Sequence, residues 1–515
     1  MSTYYKKDTC DKKKKKDCNL TLKCGEIFDP DLPPIFDADP NNPIMQPIKL
    51  ASVTIDTQSL RKQCVVSIEY SSIINLVGVG ESDNEGESIT LNFRLIKEFK
   101  NKKTEILQEW EYTESNIEEQ IANEKRSKES FTVTFCECLD YLDSDFCTYT
   151  MQLVRATPFL DVNNDTPTIL YSITNKNILA ISSCNNSLQC GKSFNRSLPP
   201  ILDDSNNPNM SPVKLACVAV DTRALRNACV NIKYSSIINL LANNAPGDDS
   251  SPNVSILLRF RLIRECKNKK TKVLQEWEYM ESDIEDNIGE REYKDSFTIN
   301  FCECLDCLDS DCCIYTIQLV KANPSLLDDG SVGVLYNINN KNISAVISSE
   351  NHIQCGKEFN RSLPPRLNDD PDNSTMPPVK LACVKVDTRS LCNPCVNIEY
   401  SSIINAIAAV VSSSPNVDIE LRFRLIRECK NKETEILQEW EYIESNHEDT
   451  DNERESKESF TITFCECLGC LDSDCCTYTM ELIKAAPSIL DDGSLGMLYN
   501  ITNKNISAIV TCKPH

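Results

Sequence analysis

The chain repeats itself three times. The dipeptide Cys-Gly opens "CGEIFDPDLPPIFDA" at Cys24, "CGKSFNRSLPPILDD" at Cys190 and "CGKEFNRSLPPRLND" at Cys355. Other landmarks keep the same step: "SIEYSSIINL", "NIKYSSIINL" and "NIEYSSIINA"; "LQEWEY" ending at Tyr112, Tyr279 and Tyr442; and "FCEC" beginning at Phe135, Phe301 and Phe464. A period of about 165 residues is that of a whole domain, several times the unit of a solenoid, so the fold of one repeat must serve three times. The division is a leader at 1–23 and repeats at 24–189, 190–354 and 355–515.

Within a repeat the periodicity is that of strands. In the second, "VKLACVAVDT", "CVNIKYSSIINL", "VSILLRFRLIREC", "VLQEWEYM", "SFTINFCECLD", "CIYTIQLVKA", "GVLYNI" and "ISAVIS" are short runs rich in β-branched and aromatic residues, separated by polar breaks. With no long amphipathic helix and with Pro, Asn and Asp in the connectors, the expected fold is all-β: three tandem antiparallel β-sandwich domains, jelly-roll-like, behind a flexible N-terminal connector. The junctions, such as "AISSCNNSLQCGKSFNRSLPP", are too short for free movement, so three beads in a stiff rod are expected.

Charge narrows the partners. The chain carries a formal −23, yet its first 23 residues hold eight lysines against Asp8, Asp11 and Asp17. An acidic body repels phosphate backbones and anionic lipid, so neither nucleic acid nor membrane is an expected partner, and no apolar run is long enough to span a bilayer. The basic leader is either a solvated tail or an arm that meets the acidic bodies of neighbouring copies. Its lack of an apolar stretch argues against a secretory signal, whereas 28 cysteines suggest an oxidising destination. A protein released by lysis of the cell that made it, as at a spore surface, satisfies both.

Aligning the repeats sorts the cysteines. Five positions read as Cys in all three: Cys24/Cys190/Cys355, Cys64/Cys229/Cys395, Cys136/Cys302/Cys465, Cys138/Cys304/Cys467 and Cys147/Cys313/Cys476. Four more, Cys217/Cys383, Cys266/Cys429, Cys307/Cys470 and Cys312/Cys475, are replaced in the first repeat by Ser52, Phe99, Tyr141 and Phe146. Joint loss of an even number fits pairing and also fits loss of a four-thiolate metal site. Cys302 and Cys304, on the same strand face, lie near the upper limit for a direct bond and should seek partners on neighbouring strands or chains. "CECLDC" offers one metal knuckle without a clear second, so cross-links are favoured over a metal. The repeats hold six, nine and eleven cysteines, and the odd counts imply bonds that leave the domain. Cys10 and Cys18 in the leader are placed to reach another subunit.

Catalysis finds no constellation. His352, His447 and His515 occupy unrelated repeat positions, and the 13 glycines form no phosphate-cradling loop. Asp328/Asp329 and Asp491/Asp492 read as solvated turn residues, and Trp110, Trp277 and Trp440 as core. No cofactor, no metal and no enzymatic activity are expected.

The blocks "CGK.FNRSLPP", "VKLACVxVDTR", "YSSIIN" and "FxxxFCECLxCLDSDCC" resemble an uncharacterised tandem domain family of spore-forming clostridia. The plan, a cysteine-bearing connector ahead of a β-sandwich, resembles the endospore appendage subunits of bacilli. That resemblance implies stacking by strand-edge pairing, with Cys10 and Cys18 as connector thiols bonded to the adjacent subunit. The expectation is a structural, self-assembling subunit of a disulfide-cross-linked fibre or appendage on the endospore surface, partnered by copies of itself and by other spore-surface proteins. A cysteine-rich metal-binding protein and a surface adhesin or carbohydrate-binding protein are the alternatives.

Overall fold

The computed structural model describes residues 20–38, 46–56, 64–78, 88–99, 104–115, 126–139, 146–158, 169–183 and 187–203 of the first repeat and the start of the second, and the corresponding strands and connections onward to residue 512. Residues 1–19 and 513–515 lie outside this description, as do loops such as 243–253, 306–311 and 469–473.

Every described element of the first repeat is a strand: β1 (Thr21–Cys24), β2 (Glu26–Ile27), β3 (Phe36–Asp37), β4 (Ile48–Asp56), β5 (Cys64–Gly78), β6 (Ser88–Phe99), β7 (Glu105–Ser115), β8 (Arg126–Leu139), β9 (Phe146–Pro158) and β10 (Ile169–Ser183). β10, β5 and β8 form one layer and β4, β9, β6 and β7 the other, all antiparallel. Among the seven long strands only β6 and β7 are sequence neighbours that pair, so the chain switches layers repeatedly and closes a sandwich. Alternation dictates the burial: on β6, Ile89, Leu91, Phe93 and Leu95 are buried while the residues between them are half-exposed. Phe93 stacks on Phe131 at 4.4 Å, and the second and third repeats repeat the pair with Phe260 on Phe297 at 4.3 Å and Phe423 on Phe460 at 4.4 Å. Trp110, Trp277 and Trp440 are buried in these cores.

The dipeptide Cys-Gly opens each sandwich for a steric reason. β1 belongs to one layer and β2 to the other, and the chain crosses between them at Gly25, whose N–H donates to the Ile178 carbonyl at 2.8 Å. A Cβ at Gly25 would stand 2.4 Å from the Ser52 carbonyl oxygen, and Gly191 and Gly356 are held as tightly. Each opening strand starts a few residues before its Cys-Gly, with Leu188–Cys190 and Ile353–Cys355 as the counterparts of β1.

The three sandwiches do not form a rod. Each sheet of the molecule joins a layer of one repeat to a layer of another: β8 meets Glu435–His447 of the third repeat, β7 meets Glu292–Cys304 of the second, and Lys272–Ile284 of the second meets Arg454–Cys467 of the third. First touches third, third touches second and second touches first, which closes a ring with pseudo-threefold symmetry. β8 and its counterparts Glu292–Cys304 and Arg454–Cys467 surround the axis and contact one another. The short junctions fold the chain back on itself because these strands carry a second face that has to be covered.

Candidate functional site: the inter-repeat seam

That second face is a row of hydroxyls. On β8, Phe131 and Val133 point into the sandwich, so Ser130, Thr132 and Thr134 point at the axis. The Thr132 hydroxyl donates to the Thr461 carbonyl at 2.8 Å, Thr461 to the Thr298 carbonyl at 2.9 Å, and Thr298 to the Thr132 carbonyl at 2.6 Å. Ser130, Ser459 and Ser296 form a second ring of the same sense, at 3.1 to 3.2 Å. Small hydroxyl residues let three strands approach, and the rings satisfy groups that would cost about 1–3 kcal/mol each if buried alone.

The motif "YSSIIN" interlocks the domains. Its first isoleucine enters the neighbour's core: Ile73 packs with the third repeat, Ile237 with the first and Ile403 with the second, whereas Ile74, Ile238 and Ile404 stay at home. Farther out, three asparagines in the left-handed region clasp the preceding repeat of the ring. Asn175 (φ 49°) donates to the Glu439 carbonyl at 2.6 Å, Asn340 (φ 49°) to Glu109 at 2.7 Å, and Asn503 (φ 51°) to Glu276 at 2.7 Å. The bridges Lys128–Glu441, Lys294–Glu111 and Lys457–Glu278 cross the same three seams.

At one level of the axis the repeats differ on purpose. Glu69, Lys233 and Glu399 occupy the same position of their repeats, and the Lys233 ammonium contacts both carboxylates with all three side chains at most 3% exposed. Burial alone would lower the lysine, but Glu399 and Glu69 outweigh it and raise its pKa above the ordinary value. Glu399 is pushed up to about 8, by burial first and by Glu69, with Lys233 pulling the other way. Three identical glutamates here would repel one another in a dry site, so the substitution fixes a central role for the second repeat.

Disulfides complete the seam. Cys136 bonds Cys190, Cys302 bonds Cys355, and Cys24 bonds Cys465 across 441 residues. Each bond ties the first cysteine of one "FCEC" to the Cys-Gly cysteine of the next repeat, the last returning to the first, so the ring is closed covalently. The second cysteine of the motif bonds within its own repeat: Cys304 to Cys229 and Cys467 to Cys395. The glutamate between them is held by a base and a tyrosine, as Glu303 is by Arg264 at 2.8 Å and Tyr315 at 2.7 Å. A further pair in each of the last two repeats is Cys266–Cys313 and Cys429–Cys476. Cys229, Cys304 and Cys355 crowd together, with Cys304 and Cys355 sulfurs 3.6 Å apart, because two disulfides lie side by side. Those sulfurs are not available as thiolates for a metal.

One sequence alignment is corrected. Cys64 is not the counterpart of Cys229 and Cys395: Tyr70 pairs with Val133 as Tyr234 does with Ile299, which sets Val65 opposite Cys138 where the other repeats set Cys229 opposite Cys304 and Cys395 opposite Cys467. One extra residue between Cys64 and Tyr70 turns the cysteine to the other face, where it forms a disulfide of its own, and leaves Cys138 exposed without one. The jointly lost cysteines are likewise not partners of one another. Cys266 and Cys429 bond Cys313 and Cys476, so Phe99 in the first repeat leaves Cys147 a buried thiol, pushed up to about 12 by desolvation. Cys10, Cys18, Cys307 and Cys470 lie outside the described residues, as do Asp328, Asp329, Asp491, Asp492 and His515.

The sequence reading missed Lys233, the hydroxyl rows and the three asparagines. A signal for the first was present in "SIEY", "NIKY" and "NIEY", where one repeat inverts a charge at an otherwise shared position. Disulfide-bonded tandem domains of this kind fit a structural protein and an oxidising, extracellular setting, and among the described residues no helix is long and apolar enough to cross a membrane.

Residues 18–181, 184–348 and 350–511 each match one family, described as a domain of unknown function (DUF4489). No curated protein matches the chain. Among solved structures, the tandem CBM22-1-CBM22-2 domain of Paenibacillus barcinonensis Xyn10C is similar at 9% identity over 63% of this chain and 92% of that one, with a TM-score of 0.15. The lipid-containing bacteriophage PM2 is similar at 9% identity over 87% and 100%, with a TM-score of 0.14. Likenesses this low carry no argument.

Proposed function

The chain belongs to that family as a member with three copies of its domain, and from this premise we propose that it is a structural subunit of a disulfide-cross-linked fibre or appendage on the bacterial endospore surface. In this reading each chain is one preassembled unit, a single-chain pseudotrimer, and copies join head to tail through the N-terminal connector. The protein is not an enzyme, and its partners are other copies of itself and further spore-surface proteins.

The observation that carries the reading is the use of the cysteines. All three Cys-Gly cysteines are consumed inside the ring, so the cross-links that stiffen the unit are separate from any that join units. Exposed Cys138 carries no disulfide, and Cys10 and Cys18 supply thiols on a basic arm suited to an acidic body. Strand-edge pairing takes a smaller part than the resemblance implied, because the outermost strands of the sheets, such as β1 and β2, are only four and two residues long.

Electrophoresis with and without reductant tests it. Species heavier than the 58.1 kDa chain should survive boiling, collapse on reduction, and vanish in the Cys10→Ser/Cys18→Ser variant. A protein that stays monomeric when oxidised and concentrated overturns the fibre reading.

A further inference from the structure

The disulfides that cross two of the seams have a further sulfur beside them. The Cys-Gly cysteine bonds the first cysteine of "FCEC", yet its sulfur also touches the second: Cys355 lies 3.6 Å from Cys304, and Cys24 lies 3.8 Å from Cys467. Alternate residues of a strand share a face about 6.5–7 Å apart. One incoming sulfur therefore stands between two strand cysteines, bonded to one and in contact with the other. In the second and third repeats the second cysteine is capped, because Cys229 and Cys395 bond it from the paired strand.

The first repeat keeps the arrangement and lacks the cap. The Cys136–Cys190 link has a Cα separation of 5.6 Å, against 5.4 Å for Cys302–Cys355 and 5.7 Å for Cys24–Cys465, so β8 receives Cys190 as its counterparts receive theirs. Opposite Cys138 stands Val65, which packs in the same small apolar cluster as Cys229 and Cys395. A methyl group forms no disulfide, and Cys138 is left as an exposed thiol at the place from which its counterparts touch the Cys-Gly sulfur. Between the two cysteines, Glu137 is anchored on the other face of β8, accepting from Lys97 at 2.8 Å and from Tyr149 at 2.7 Å.

We propose that Cys136, Cys138 and Cys190 form a thiol–disulfide exchange site. The Cys138 thiolate attacks the Cys190 sulfur; a Cys138–Cys190 bond forms as Cys136–Cys190 breaks, and Cys136 leaves as the thiolate. It takes up a proton from solvent to replace the one Cys138 gave up. One disulfide and one thiol stand on each side of the step, so it consumes no oxidant and no reductant. Rotation about the Cα–Cβ bond of Cys138 is the motion required, while the ladder to β5 holds the backbone of β8 in place. Because Cys190 is bonded in both states, the ring stays closed while its reactive thiol moves along the strand. That thiol is open to disulfides and alkylating groups from solvent, whereas the Cys147 thiol of the same repeat is buried. The assignment holds whether or not chains join into fibres.

Disulfide mapping of the oxidised full-length protein tests it, with the sample dilute enough to prevent exchange between chains and held at about pH 8.5 to supply thiolate. Iodoacetamide marks whichever thiol is free, and tandem mass spectrometry of the acid-quenched digest assigns it. The expected result is label on both Cys136 and Cys138, in amounts within about tenfold of each other, with Cys190 unlabelled. In Cys136→Ser, oxidised in the same way, Cys190 should still be spent, now on Cys138. Val65→Cys gives Cys138 the partner its counterparts have and should remove the label from both positions. Circular dichroism confirms that each variant is folded. Label on Cys138 alone in the unaltered protein, or a Cys190 that alkylates in folded Cys136→Ser, overturns the site.

Discussion

Cys24 and Cys465 are bonded across 441 residues, so the first described strand is tied to the last domain and the ring has no free end among the described strands. The bond constrains the unfolded chain far more than it adds contacts to the folded one.

Removing that closure should cost stability without removing the fold. Cys24→Ser/Cys465→Ser retains the Cys136–Cys190 and Cys302–Cys355 links, and denaturant unfolding should show a loss of about 2–4 kcal/mol with unchanged strand content.

The axial triad predicts an asymmetric mutational response. Lys233→Met leaves Glu69 and Glu399 facing each other in a dry site and should destabilise the protein by about 3–5 kcal/mol. Replacing Glu69 and Glu399 by leucine in the same background should recover most of it, because a packed apolar trio avoids the desolvation of three charges. A second variant no more stable than the first would show that the charges do not dominate this level.

Glu399 also sets a direction for pH. A carboxyl raised to about 8 binds its proton more tightly folded than unfolded, so stability falls as pH climbs from the ordinary carboxylate range through that value. Thermal unfolding between pH 5 and 8 should show a declining midpoint, flatter in Glu399→Gln, whose amide cannot titrate.

The first repeat lacks a disulfide its siblings have, and the register says where. Phe99 stands opposite Cys147 as Cys266 does opposite Cys313 and Cys429 opposite Cys476. Phe99→Cys should form the missing bond, remove the buried thiol from an alkylation count, and add about 2–4 kcal/mol, less whatever the lost ring contributed to packing.

The clasp at Asn503 separates backbone from side chain. Asn503→Gly keeps the left-handed backbone and loses the bond to the Glu276 carbonyl, whereas Asn503→Ala loses both. The alanine variant should be the less stable by about 1 kcal/mol, measured by denaturant midpoint.

Much of one domain is legible in the sequence, because strand alternation, buried aromatics and turn residues are local. "YSSIIN" and "FCEC" announce that something is repeated, and the odd cysteine counts announce bonds between domains. What they cannot announce is direction. The isoleucines Ile73 and Ile74 are adjacent and identical, and only the neighbouring sandwich decides that the first belongs to another core. The single residue that displaces Cys64 is visible in the sequence, but its meaning depends on which face of a strand each cysteine takes.

By itself, then, the sequence determined the all-β class, the threefold repetition and the presence of cross-links. Tertiary structure decided that the repeats close into a ring, which cysteines join which, and that one lysine sits between two glutamates on the axis. The physical reason is that alternation fixes which residues lie on a strand's second face, while what covers that face is set by domains about 165 residues away.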